Sequence, residues 1–257
     1  MARCDHSRTR PNAAAPVLLT VAVDIERILV VTAHPDDVDF GAAGTVATWT
    51  DAGIAVTYCI VTNGDAGGFD PDVPRSEIAG IRQAEQRAAA AAVGVTDVRV
   101  LGYPDGRLTP SLELRRDISR VIRDVRPQRV LTQSPERNYE RIYASHPDHL
   151  ATGEAALCAV YPDARNPFAH PELAEEGFEA WTVAETWLMA SPGAAHVVDV
   201  TDVYDRKMAA LRCHVSQLPG VPGELDTMIR GWLGLNATTA GLPEGRLAEA
   251  FQLMNTA

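Results

Sequence analysis

The sequence predicts an α/β fold: a mostly parallel, Rossmann-like sheet flanked by helices, in a single domain with a C-terminal loop and helix cap. Three observations carry that expectation. Short runs apolar on both faces recur, as strands covered on both sides require. They alternate with stretches of helical character, the signature of βαβ units and right-handed crossovers. Glycine, proline, asparagine and aspartate punctuate the junctions. The 257 residues suit one large domain, and no linker, repeat or low-complexity tract divides them.

Residues 1–24 are expected to be a disordered extension and 25–257 the folded domain. Arg3, Arg8 and Arg10 precede the apolar stretch Pro16–Val23, which superficially resembles a secretory leader. The stretch is short, however, and reaches Asp24 without a small-residue cleavage site. Arg27–Ala33 then reads as the first strand, followed by a helix over Gly41–Ala52 that stops at Gly53. Ala55–Thr62 is the second strand and ends in the turn cluster Asn63–Gly68. Ser76–Val93 is an alanine-rich helix closed by Gly94, in the position of a C-terminal glycine cap. Val98–Leu101 is a third strand, broken at Gly102–Gly106. Ser111–Val125 reads as a helix, Arg129–Thr132 as the fourth strand and Pro147–Val160 as another helix. Val183–Met189 and His196–Val200 are later strands, and Asp202–Cys213 is a helix. Leu218–Ala240, rich in glycine and proline, is expected to be a cap or loop insert, and Glu244–Leu253 a terminal helix.

Composition narrows the function. With 34 acidic against 23 basic residues, a net charge of −11 argues against nucleic acid or an anionic membrane as a partner. No run approaches a membrane span. Cys4, Cys59, Cys158 and Cys213 form no Cys-x-x-Cys pair, so reduced cysteines and a cytoplasmic location are expected. Lys207 is the only lysine, which all but closes amine-based covalent catalysis. The chain also lacks a phosphate-binding Gly-x-x-x-x-Gly-Lys-Ser/Thr loop and a Gly-x-Ser-x-Gly nucleophile turn. Gly41-Ala-Ala-Gly44 comes too late after the first strand, and with the wrong spacing, for a dinucleotide fingerprint.

At the end of the first strand stands Ala33-His34-Pro35-Asp36-Asp37. In an open α/β sheet, ligands bind beyond the carboxyl ends of strands. Pro35 holds His34 extended at the strand tip. Adjacent carboxylates repel unless a cation or protons neutralise them; the plainer alternative is that one of them caps a helix. The same design recurs in Ser145-His146-Pro147-Asp148-His149. Pro147 suits the first helical position, which makes His146 the N-cap, and His146 and His149, three apart, share a face. Imidazoles with carboxylates suit zinc, or ferrous iron in a two-histidine, one-carboxylate site, with positions left for water.

These two units, with Gly41, resemble the LmbE-like, or PIG-L, family of zinc-dependent N-acetylglucosaminyl deacetylases, which includes the mycothiol-pathway deacetylase and amidase. Thr62-Asn63-Gly64-Asp65, Arg82-x-x-Glu85, Gly94-Val95, Leu101 through Gly106, and Lys207 with Ala210, His214 and Ser216-Gln217 follow the family's order. The resemblance implies that His34, Asp37 and His149 bind zinc, with iron the alternative, and that Asp36 is the general base. It implies that His146, oriented by Asp148, faces the substrate carbonyl. Arg82, Asp105, Tyr143 and His214 are the implied contacts to substrate. Many members carry glutamate directly after the paired aspartates. Here Val38 stands in that place, and Asp39 is expected to take over the support of the ligands.

The implied reaction is removal of an acetyl or other acyl group from an N-acetylglucosamine-type sugar or its conjugate, the partner being a small amino-sugar substrate. Cleavage of a mycothiol S-conjugate-type amide is the alternative within the family. A non-haem iron oxygenase, whose usual scaffold is all-β, and a non-catalytic sugar-binding relative are the distant ones. The sequence does not name the sugar or the oligomeric state.

Overall fold

The structure, a computed structural model, describes residues 24–257 except 219, 221 and 222. Nearly all of the expected extension, and Cys4 with it, lies outside the described residues. The strands are β1 (Arg27–Thr32), β2 (Ala55–Thr62), β3 (Asp97–Tyr103), β4 (Arg129–Gln133), β5 (Glu185–Met189), β6 (His196–Asp199) and β7 (Ala248–Asn255). They form one seven-stranded sheet in the order β3-β2-β1-β4-β5-β7-β6. β1 pairs in parallel with β2 and β4, β2 with β3, and β4 with β5; β7 runs antiparallel to both β5 and β6.

Because successive strand residues point to opposite faces, β1 feeds two cores at once. Ile28 and Val30 join Val38, Val46, Tyr58 and Ala89 on one face. Leu29 and Val31 join Cys59, Leu114, Ile118 and Ala155 on the other. The helices that cover these faces are α1 (Asp37–Asp51), α2 (Arg75–Ala92), α3 (Leu112–Val125) and α4 (Pro147–Cys158), with α5 (Pro171–Glu175), α6 (Tyr204–Leu211) and α7 (Glu224–Thr239) following in the second half. The Ser111 hydroxyl accepts from Leu114 N–H and caps α3. Among the described residues, no helix is long and apolar enough to cross a membrane.

Two expectations in the C-terminal third are corrected. Most of the predicted loop insert is the helix α7, which packs Ile229 and Leu233 against Tyr204, Met208 and Leu211 of α6. The predicted terminal helix is instead strand β7: Ala250 and Phe251 pair with β6, while Phe251 and Leu253 pair with β5. Tertiary pairing has overridden the helical preference of its Ala, Glu and Leu residues. At the N-terminal end, α1 begins at Asp37, earlier than expected, and so carries the second aspartate of the first motif.

Sheet order places the site. The chain leaves β1 towards β2 on one side and reaches β4 on the other, so the strand order reverses between β1 and β4. Ligands bind beyond such a switch point. His34 follows β1 directly, while His146 and His149 follow β4.

Candidate metal and active site

The tip of β1 is fixed from β4, where the Gln133 side-chain oxygen accepts from Ala33 N–H at 2.9 Å. α4 comes close to the same edge because residue 153 is glycine: a Cβ there would lie 2.4 Å from the Gln133 carbonyl oxygen. His149, one turn earlier on α4, is thereby brought to His34.

Three side chains converge between the motifs. His34 Nδ1 lies 3.3 Å from His149 Nε2 and 3.4 Å from Asp37 Oδ2. His149 Nε2 lies 2.9 Å from Asp37 Oδ1. Donors about 2.0–2.1 Å from a tetrahedral metal are separated from one another by roughly 3.3 Å, so these three side chains could hold a divalent ion with little rearrangement. The far nitrogen of His34 supports that reading. Its Nε2 is 3.0 Å from Asp105 Oδ1 and 3.3 Å from Asp148 Oδ2. A proton donated there leaves the Nδ1 lone pair facing Asp37 and His149.

Two other donor groups are also close enough to hold an ion, His34 with His146 and His149, and His34 with Asp105 and Asp148. The second is already committed. Asp148, fully buried, accepts from Gly106 N–H at 2.7 Å and Leu108 N–H at 3.1 Å, and Asp105 meets Arg82 Nη1 at 3.3 Å.

Charge is concentrated here. Burial opposes ionisation of the His34 imidazole, but the carboxylates of Asp37, Asp105 and Asp148 outweigh it and raise its pKa to about 12. His149 is raised in the same way by Asp37 against its own burial. Burial would push Asp37 up, yet the two imidazoles hold it well below the usual carboxylate range. Protons on these imidazoles neutralise a site that a dication would otherwise neutralise.

Asp36 is different. Burial, then the neighbouring Asp37 charge, pushes its pKa up to about 7 against the pull of Arg82. Its Oδ2 is 3.3 Å from Arg82 Nη2, which leaves Oδ1 as the oxygen available to a reactant. It stands at the N-cap of α1 with φ 98° and makes no side-chain cap bond, so the capping role is not what its side chain performs. A non-glycine residue at positive φ costs on the order of 1–3 kcal/mol and such strain clusters at functional sites.

His146 lies exposed at the mouth, its ring 4.9 Å from that of His34 and 5.3 Å from that of His149. Its Nδ1 accepts from the Asp148 backbone N–H at 3.2 Å. Burial, with His34 and His149 nearby, lowers its pKa, so the ring is neutral at pH 7 and carries its proton on Nε2. The expected orienting contact from the Asp148 carboxylate is therefore corrected: the Asp148 backbone turns His146, while its carboxylate serves His34 and the Gly106–Leu108 turn.

The implied substrate contacts fare unevenly. Arg82, 4% exposed, spends its guanidinium on Gly64 O, Pro35 O, Asp36 and Asp105, and Asp105 also accepts from or pairs with site residues. Both are buried. Tyr143, in a short 3-10 turn over Ile142–Ser145, is exposed beside the second motif. His214 has no exposed surface and cannot touch a sugar; its Nε2 meets Asp39 Oδ2 at 2.8 Å. Asp39, also fully buried, accepts from Gln86 Nε2 at 2.9 Å. Sequence reasoning missed Gln86 and Glu249. Neither stands in a motif, and each matters through a partner distant in the chain.

A family model described as PIG-L, GlcNAc-PI de-N-acetylase, matches residues 29–160. The chain is 33% identical over 196 residues to the diacetylchitobiose deacetylase of Thermococcus kodakarensis, covering 76% of this chain and 72% of that protein. It is 30% identical over 248 residues to the 1D-myo-inositol 2-acetamido-2-deoxy-alpha-D-glucopyranoside deacetylase of Rhodococcus erythropolis, covering 77% and 83%. Among solved structures, N,N'-diacetylchitobiose deacetylase from Pyrococcus horikoshii superposes with a TM-score of 0.83 at 29% identity, covering 91% of this chain and 85% of that one.

Proposed function

The chain belongs to the PIG-L family, and from that premise we propose that it is a zinc-dependent deacetylase of an N-acetylglucosamine-type amino sugar or its conjugate. The observation that carries the proposal is the set of three donors, His34 Nδ1, Asp37 and His149 Nε2, spaced 2.9–3.4 Å apart beside a free carboxylate oxygen of Asp36. Two imidazoles and one carboxylate are ligands that suit zinc. The α/β sheet and the deacetylase relatives leave the oxygenase alternative without support.

When bound, the dication supplies Lewis-acid polarisation of the acetamide carbonyl and an acidified water near neutral pH. The protein's own groups do the rest. Asp36 Oδ1 takes a proton from the attacking water, a task suited to a carboxyl group poised near neutrality. His146 Nε2–H, aimed from the mouth by the Asp148 amide, donates to the carbonyl oxygen as negative charge develops there. Asp36 then returns its proton to the departing nitrogen, so water and amide become amine and acetic acid, the acid's proton passing to the product amine in solution, with no net proton change inside the site. Arg82 and Asp105 hold the floor on which Asp36 and His34 stand, and Tyr143 flanks the opening where the remainder of the sugar lies.

The test is acetate release from N-acetylglucosamine, N,N'-diacetylchitobiose and N-acetylglucosaminyl-inositol, run beside a thiol-conjugate amide to separate the amidase alternative. Asp36→Asn keeps the ligands and removes the base, so activity is expected to fall about 10²–10⁴-fold with zinc content unchanged. Full activity in that variant would sink the base assignment.

A further inference from the structure

Asp36 is the one residue in the first motif whose backbone L-amino acids avoid, at φ 98° and ψ −28°. Glycine would relieve the strain, but glycine carries no carboxylate. Something must hold the peptide there, and α2 supplies it from two positions one turn apart. Arg82 Nη2 donates to Pro35 O at 2.7 Å. Gln86 Oε1 accepts from Asp36 N–H at 2.8 Å. On the other side of Asp36, its carbonyl accepts from Asp39 N–H and Phe40 N–H at 2.9 and 3.1 Å. The peptide groups flanking Asp36 are thus clamped before and after it.

Gln86 is itself immobilised. It is 1% exposed, and its Nε2 donates to Asp39 Oδ2 at 2.9 Å. That same oxygen meets His214 Nε2 at 2.8 Å. With an oxygen on one side and a nitrogen on the other committed, the amide has one usable orientation. A chain of contacts therefore runs from His214 through Asp39 and Gln86 to the Asp36 amide, and none of its first three members is open to substrate.

We propose that Gln86 is a positioning residue: it fixes where the Asp36 carboxylate points by gripping the amide ahead of it, and the buried Asp39–His214 pair fixes Gln86. This rests on Asp36 being the base of the deacetylase reading. It gives a role to His214 and Asp39 that neither metal binding nor sugar contact provides. The residue following Asp37 need not support the ligands, because the support enters from behind, through α2.

Gln86→Met is close in size and removes both polar ends. In zinc-loaded protein it is expected to lower kcat by roughly 10–100-fold, the penalty of displacing a catalytic group by about an ångström, with KM and zinc content unchanged. Independently of activity, exchange of the Asp36 amide proton, followed by NMR, is expected to accelerate at least about tenfold while the Leu29–Val31 amides keep their protection. Gln86→Glu retains an oxygen for that amide but loses the donor that Asp39 holds, and is expected to keep more of that protection and of kcat than Gln86→Met. Unchanged kcat in folded Gln86→Met, or an Asp36 amide that exchanges as in the parent, overturns the proposal. A parent protein that deacetylates none of the sugars refutes the deacetylase reading alone, and the amide measurement still decides what Gln86 holds.

Discussion

Replacing Lys207 with methionine should destabilise this protein far more than an ordinary lysine substitution. Its ammonium is fully buried and gives one proton each to Asp39 O at 2.8 Å, Phe40 O at 2.7 Å and Glu249 Oε1 at 2.7 Å. All three donors are satisfied. Glu249, 1% exposed, also accepts from Gly44 N–H on that same oxygen at 3.1 Å and from Thr45 N–H on Oε2 at 2.7 Å. Methionine fills the volume but leaves a buried carboxylate without its cation. Breaking one partner out of such a pair costs about 3–5 kcal/mol. For a chain of this length that corresponds to a melting temperature lower by roughly 6–20 °C. A second substitution, Glu249→Gln, removes the stranded charge while keeping one acceptor oxygen, enough for the Thr45 amide. The double variant should therefore recover at least about 1.5 kcal/mol relative to the single one. Thermal and urea melts of the parent, both single variants and the double variant give the coupling. Because Lys207 is the only lysine, amine acylation read by mass spectrometry adds a check, since the native side chain should resist modification. A single-variant loss under about 1 kcal/mol, or a double variant no more stable than Lys207→Met, would refute the reasoning.

Two further expectations concern the site. His146→Ala should reduce kcat by about 10²–10³-fold, the usual cost of removing one donor to a developing oxyanion, while zinc content stays at the parent level; loss of zinc would instead make His146 a ligand. The metal-stripped protein should lose stability as pH rises. His34, raised to about 12, and His149, also raised, bind more protons folded than unfolded once pH exceeds about 6.5. Their contribution is complete below that value and declines above it by about 1.4 kcal/mol per pH unit for each retained proton. Chelator-treated protein should melt progressively lower from pH 6.5 to 9, with zinc removing most of the trend; a melting temperature that rises over that range would contradict it.

Much of the first half of the molecule was legible because its signals are local. β1 and β2 announce themselves as β-branched runs, α2 as an alanine-rich stretch ended by Gly94, and α3 as an amphipathic helix behind Ser111. The first His-Pro-Asp unit could be placed at a strand end and the second at a helix start, whereas the sheet order that brings them together is seen only in the structure. What failed to show was whatever depends on distant partners. β7 reads as a helix because Ala248, Glu249 and Ala250 favour one, and only pairing with β5 and β6 makes it a strand. α7 is masked by Gly231 and Gly234, at neither of which a Cβ would meet any neighbour, so the glycines there mark no turn. The Asp148 carboxylate could not be assigned by proximity to His146, because the turn at Gly106–Leu108 claims it from across the site. Gln86 stood in plain view on a helix face but acquires meaning only beside a strained Asp36 amide fifty positions earlier.

The antiparallel strand β7 also sets an order of events during synthesis. β1 to β4, both histidine motifs and the helix bearing Lys207 all leave the ribosome before residues 248–255 do. Until then β5 has an open edge carrying Trp187 and Leu188, the kind of edge that recruits wrong strands, and Lys207 has no carboxylate to meet. β7, between β5 and β6, closes that edge and brings Glu249 to Lys207 and to Gly44 and Thr45 in the middle of α1. Both histidine motifs thus precede in the chain the strand whose Glu249 ties Lys207 to the helix that carries Asp37.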